Sequence, residues 1–190
     1  MAKKKNDKNE IIQELIEKYN IDIGELKKEQ VKLAKNLEIK DSMNFSDVQL
    51  AAGIDNAFMD NKIITALVIL DTNSEVVEKT YSSDKIIFPY ISEFRAYREL
   101  PGMLNAFQKL EEKPDLVFVK GHGIIHPRLG LASHFSLSAG IPVIGISEKL
   151  LAGDAENLIS IKGENVILNG KIVGKVLKSK KGSNPLYISP

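Results

Sequence analysis

Between Asp115 and Ser147 the chain reads DLVFV, then a loop rich in glycine and histidine, then GLASHFSLSAG, then IPVIGIS. Two short apolar runs on either side of a helical segment ending at Gly140 are the pattern of central strands in an α/β sheet, covered on both faces. The rest of the fold has to be arranged around them.

Upstream, LAAGIDNAF and KIITALVIL read as strands joined at Asp60-Asn61, and SEVVEKTYSSDKIIF supplies a third, making an antiparallel meander. Pro89 stops it. PYISEFRAYRELPGMLNAFQKLEE is then helical, with Pro101 placed where a second helix could begin and Met103, Phe107 and Leu110 facing inward. Downstream, NLISIKGENVILNGKIVGKVLKS and NPLYISP read as strands, with turns at Gly163-Glu164 and Asn169-Gly170. Near the N-terminus, Ile12, Leu15, Ile16 and Tyr19 share one helical face; Gly24 interrupts the pattern, which resumes with Leu26, Leu33 and Leu37. Residues 1–8 are expected to be a disordered basic tail, because they offer nothing apolar to offset the entropy of ordering them. The expectation is therefore one α/β domain over residues 9–190, a mixed β-sheet flanked by helices.

Composition narrows the function. A chain of 190 residues with 43% hydrophobic residues can bury one substantial core. With no cysteine there is no disulfide framework, no thiolate zinc site and no thiol nucleophile. The basic N-terminus lacks an apolar stretch behind it, and no run approaches the roughly 20 residues that span a bilayer, so the expected location is cytoplasmic. A net charge of +1 argues no global field for nucleic acid, so any such binding must come from local patches. The clearest patch is Lys171, Lys175, Lys178, Lys180 and Lys181, which serves equally as a strand edge kept soluble by lysines. The sequence does not set the oligomeric state, and a monomer is assumed.

Several residues stand out chemically. Asp55 sits in an otherwise apolar strand, where a carboxylate needs a partner or an ion unless it lies at an edge or turn. Glu99 closes FRAYRE before a proline, and alone would be a solvated helix residue. His122, His126 and His134 are sparse; Pro127 keeps the first two off a shared helix face, so they either hydrogen-bond the loop or contact a ligand. GHG permits close backbone approach but is too short for a dinucleotide fingerprint, and Lys171 lacks the following Ser or Thr of a phosphate loop.

The order of the motifs is more specific than any one of them. KKEQVKLAKNL, AAGIDNAF, IIFPYISEFRAYRELPGML, KPDLVFVKGHGIIHPRLGLASH, GIPVIGIS and GSNPLYISP follow one another over residues 26–190 as in the endonuclease V family, which the chain resembles. The resemblance implies a ribonuclease H-like fold that recognises hypoxanthine or inosine in DNA or RNA and cuts the backbone 3′ of it with Mg²⁺, Mn²⁺ serving as a substitute. It implies that Asp55 and Glu99 are metal ligands, and that the catalytic positions are Asp55, Glu99 and Lys120, the last standing where a third carboxylate belongs. Tyr90 and Ile91 match the strand-separating wedge. Gly121, His122, Gly123 and His126 match the base pocket, where backbone amides can read a base edge. Arg128, His134, Lys149 and Lys178 are assigned to contacts with the nucleic-acid backbone.

Departures gather at these positions. Lys120 replaces the aspartate, Ser92-Glu93 replace the proline and glycine of the wedge, and Glu148 stands where the family usually has lysine. HPRLGLASH is one residue short, and relatives continue past the position of Pro190. Two unit charges 4 Å apart interact by about 4 kcal/mol at an effective dielectric near 20. A lysine here is therefore expected to repel a metal and to pair with Asp55 and Glu99, unless it turns away or Asp71 or Asp154 substitutes. The alternative to a working nuclease is a homologue that binds nucleic acid without cutting it.

Overall fold

The computed structural model describes residues 2–41, 43–151 and 159–190. Helices α1 (Ala2–Lys18) and α2 (Ile23–Ala34) precede a meander of three ten-residue strands, β1 (Leu50–Met59), β2 (Lys62–Asp71) and β3 (Val76–Lys85). Helix α3 (Arg95–Phe107), β4 (Leu116–Lys120), α4 (Leu131–Ala139) and β5 (Val143–Ser147) follow. Four strands complete the chain: β6 (Ile159–Lys162), β7 (Asn165–Leu168), β8 (Lys171–Leu177) and β9 (Leu186–Ser189). Asp154 lies outside the described residues.

All nine strands form one mixed sheet in the order β3-β2-β1-β4-β5-β9-β8-β7-β6. β4 pairs in parallel with β1 and with β5, and the other pairings are antiparallel. The tight turns fall where the sequence puts them. Asp60 and Asn61 link Met59 to Lys62, and Asn169 and Gly170 link Leu168 to Lys171, with Asp60, Asn169 and Gly170 all at positive φ.

One face of the sheet carries the core. Ala52 and Ile54 of β1, Leu67 and Ile69 of β2, and Val117 and Val119 of β4 pack with Met103 of α3 and Phe135 of α4. Phe135 meets Phe107 edge to face at 5.5 Å. Because strand side chains alternate, burying these residues turns their neighbours to the other face. Phe118 there is half-buried and Lys120 is exposed, so β4 is not covered on both faces as its apolar run suggests.

Three local expectations change. Pro101 lies inside α3 rather than opening a second helix; its missing N–H leaves the carbonyl four residues earlier without its usual donor. The break between α1 and α2 falls at Asn20, which takes φ +50°, and at Asp22, whose side chain accepts from the Glu25 amide at 3.0 Å; Gly24 is inside α2. The backbone of α1 also begins at Ala2, within the segment expected to be a disordered tail. No helix among the described residues is long and apolar enough to cross a membrane.

Phe135 has no exposed surface, and its truncation leaves a void between α3, α4 and the sheet. Phe135→Ala is expected to lower unfolding stability by about 3–5 kcal/mol, read as a drop in the urea midpoint at unchanged slope.

Candidate active site

The parallel register of β1 and β4 pairs Ile54 with Val119, so the next residues, Asp55 and Lys120, stand side by side on the open face. Lys120 Nζ donates to Asp55 Oδ2 at 3.1 Å and lies 3.9 Å from Glu148 Oε1 at the end of β5. The hydrogen bond and charge of Asp55 raise the lysine pKa. All three side chains are more than half exposed, so this cluster contributes little to stability, roughly 0–1 kcal/mol per pair. Lys120 does pair with Asp55 as expected, but Glu99 is not its partner.

Glu99 is instead 1% exposed and held on the helix-bearing side. Arg95, one turn earlier on α3, forks onto it, with Nε 2.6 Å from Oε1 and Nη2 2.8 Å from Oε2. Asn56 of β1 donates to Oε2 at 3.0 Å, and Thr65 of β2 donates to the Asn56 side-chain carbonyl at 2.5 Å. Arg95 Nη2 also reaches the Lys120 carbonyl at 3.5 Å, and its guanidinium lies close enough to Asp55 to feel that charge.

A divalent cation needs carboxylate oxygens gathered on one point. Here Asp55 carries an ammonium and both oxygens of Glu99 carry a guanidinium, so these residues do not fit a metal. Among the described residues no three His, Asp or Glu side chains converge on a metal position. Asp71 offers no substitute: it is five residues from Asp55 in strand register, roughly 16 Å, and its carboxylate accepts from the Asn73 and Glu75 amides.

The loop after β4 is bound into the fold. The amides of Gly121, Gly123, Ile124 and His126 donate to the Val119 carbonyl, Ser189 Oγ, the Pro190 carbonyl and the Gly123 carbonyl. These amides are occupied rather than presented to a base edge. A Cβ on Gly123 would sit 2.0 Å from the Pro190 carbonyl oxygen, which explains that glycine by close packing against β9. The neighbouring cavity, lined by Ser92, Glu93, Arg95, His122, His126 and Leu131, holds only about 10 Å³, room for one water and far short of a purine.

The histidines are structural in this arrangement. His126 Nδ1 accepts from the Arg128 and Leu129 amides, both at 3.1 Å, so Nε2 carries the proton and donates to the Glu93 carbonyl. Burial, assisted by nearby Arg128, holds its pKa down at about 3. His122 Nε2 meets the Lys149 carbonyl at 2.8 Å, and burial lowers its pKa too. His134 is buried edge-on to Tyr97 at 5.7 Å, with a pKa near 4 caused by burial.

Two of the four residues assigned to backbone contacts turn inward. His134 is buried, and Arg128 is spent inside the protein on Glu93 Oε2, on Gln30 Oε1 at 2.7 Å and on the Phe94 ring. Lys149 and Lys178 are exposed. Of the wedge pair, Tyr90 is 57% exposed while Ile91 is 8% exposed and packs inward. Strand register also runs Asp55, Lys120, Ile146, Ile188 and Lys175 in one row, placing Lys175 three strands from Lys120, roughly 14 Å.

Arg95, Asn56, Thr65 and Gln30 were not among the sequence-derived candidates, and Glu93 entered only as a departure at the wedge. For Arg95 a signal was available, since it stands four residues before Glu99 in a helical segment. The others meet only through tertiary packing. Gln30, the sole fully buried residue of α2, donates to the carbonyls of Glu93 and Leu129.

The endonuclease V family model matches residues 31–190. The catalytic domain of human endonuclease V shares 30% identity, with 86% of this chain and 78% of that one covered at a TM-score of 0.74. Bacillus subtilis endonuclease V shares 25%, covering 90% and 77% at 0.79. The Ciona intestinalis enzyme, solved with a 24-mer DNA containing an inosine followed by a ribo-adenosine, is alike in fold, with 21% identity over 88% and 81% at 0.78.

The buried histidines make stability depend on pH. His126 and His134 have folded pKa values of about 3 and about 4, below the unfolded value of about 6.5, so unfolding takes up protons between those limits. Their contribution is complete above pH 6.5 and declines as pH falls, by at most about 1.4 kcal/mol per pH unit for each histidine. His134 Nε2 has no hydrogen-bond partner among the described residues, so His134→Phe is expected to leave stability at pH 7 nearly unchanged. It should also flatten the decline between pH 6.5 and 4, measured by urea unfolding at several pH values.

Proposed function

The chain belongs to the endonuclease V family, with its ribonuclease H-like mixed sheet, and from that premise we propose that it binds DNA or RNA containing deaminated adenine without metal-assisted hydrolysis of the backbone. The observation that carries the second half is the Lys120 ammonium on Asp55, on the strand end where the family's metal chemistry is expected. The family is metal-dependent, with Mg²⁺ or Mn²⁺ as the expected ion. Such an ion polarises a phosphate oxygen and activates water; an ammonium can attract the phosphate but cannot coordinate a water and lower its pKa.

Binding needs no metal. A nucleic-acid strand is attracted by exposed cations and stacks on exposed aromatic rings. Tyr90 stands out from the segment before α3, and Lys120, Lys149, Lys175 and Lys178 are exposed at or beyond the open-face ends of β4, β5 and β8. The inosine preference comes from the family and from the Ciona relative, whose inosine-containing DNA is a property of that protein. The small cavity beside His122 has to widen to admit a base, and in this reading the Ser92–Arg95 turn shifts against the glycine loop to do so.

Labelled single-stranded DNA and RNA, each with inosine or adenine at one position, provide the test. In EDTA the inosine strand is expected to bind roughly tenfold more tightly, about 1.4 kcal/mol, with affinity falling as salt rises. No nick is expected in Mg²⁺ or Mn²⁺. Nicking overturns the non-hydrolytic half of the reading; equal affinity for the two strands overturns the base-reading half.

A further inference from the structure

Lys120 explains the neutralisation of only one carboxylate. Glu99 is on the other side of β1, reached through Asn56 rather than Asp55, and Lys120 Nζ makes no contact with it. We propose that Arg95 is a second internal cation, closing the site independently of Lys120, so that reversing the lysine alone restores only weak binding of a divalent ion. This rests on the reading that an internal cation stands in place of metal.

The geometry supports a lock rather than an incidental ion pair. Both guanidinium bonds to Glu99 are short, both carboxylate oxygens are used, and the guanidinium stays charged at any working pH. Thr65 fixes the Asn56 amide so that its N–H₂ faces Glu99 Oε2, adding a third donor to an anion with almost no solvent access. Arg95 Nη2 also donates to the Lys120 carbonyl, joining α3 to the end of β4. Arg95 is thus a positioning residue that determines which way Glu99 is spent.

The experiment titrates Mn²⁺ into the full chain, following free Mn²⁺ by electron paramagnetic resonance. Wild type, Lys120→Asp, Arg95→Gln and the double variant are compared, with far-UV circular dichroism confirming the fold of each. Wild type and Arg95→Gln are expected to bind nothing below millimolar Mn²⁺, Lys120→Asp to bind weakly, and the double variant to bind at least tenfold more tightly than Lys120→Asp. Equal affinity in Lys120→Asp and the double variant overturns the role of Arg95 and leaves the non-hydrolytic reading standing. A double variant no tighter than wild type also overturns it. Micromolar Mn²⁺ binding by wild type overturns the reading beneath it.

Arg95→Gln leaves Glu99 buried without a counter-charge. If that variant fails to fold, Arg95→Lys in the Lys120→Asp background carries the test, since one ammonium cannot reproduce the fork. It is expected to bind Mn²⁺ at least threefold more tightly than Lys120→Asp, and no gain overturns the proposal.

Discussion

The parallel pairing of β1 with β4 is the constraint on which both the core and the candidate site depend. It puts Ile54 beside Val119 and buries both against α3 and α4. With that register set by burial, alternation leaves no freedom one residue later: Asp55 and Lys120 must emerge together on the opposite face. Their contact at 3.1 Å is thus a by-product of core packing, and not of their mutual attraction, which is weak between such exposed groups. The same alternation points Asn56 back toward α3, where it meets Glu99.

Two carboxylates of similar sequence prominence end in different electrostatic settings. Asp55 is solvated and shares Lys120 with Glu148. Glu99 is sequestered, and a buried carboxylate without a partner is costly enough that the fold must supply one. The supply comes from its own helix, through Arg95. Divalent binding depends on adjacent carboxylates sharing an uncompensated charge, and here each has been compensated separately.

The glycine-histidine loop has a parallel history. Its residues look like ligand-binding equipment because glycine exposes amides and histidine offers ring nitrogens. In the folded chain those groups are consumed internally: Gly123 packs on the C-terminal strand, His126 spans two amides and the Glu93 carbonyl, and Arg128 closes onto Glu93 and Gln30. Glu93 is a hub that ties α2, the turn before α3 and the loop before α4. Its importance comes from three distant segments, so no local pattern marks it. The turn and the loop that line the small cavity are held by this polar network, in contrast to the apolar packing under β1 and β4.

Strand, turn and helix order were legible in the sequence because burial leaves periodic traces. The three-stranded meander and the hairpin turns at Asp60-Asn61 and Asn169-Gly170 follow from alternation and turn chemistry, and the strand, helix, strand order from DLVFV to IPVIGIS follows from two short apolar runs flanking a helical segment. Motif order also identified the family and singled out Asp55, Glu99 and Lys120. The partner of each was decided only by the tertiary structure, since partnership depends on which face of a strand a residue takes and on what a neighbouring helix brings to that face. The sequence by itself determined that an ammonium stands among the carboxylates; only the folded chain decided that Asp55 receives it and that Glu99, turned to the other side of β1, is answered by Arg95.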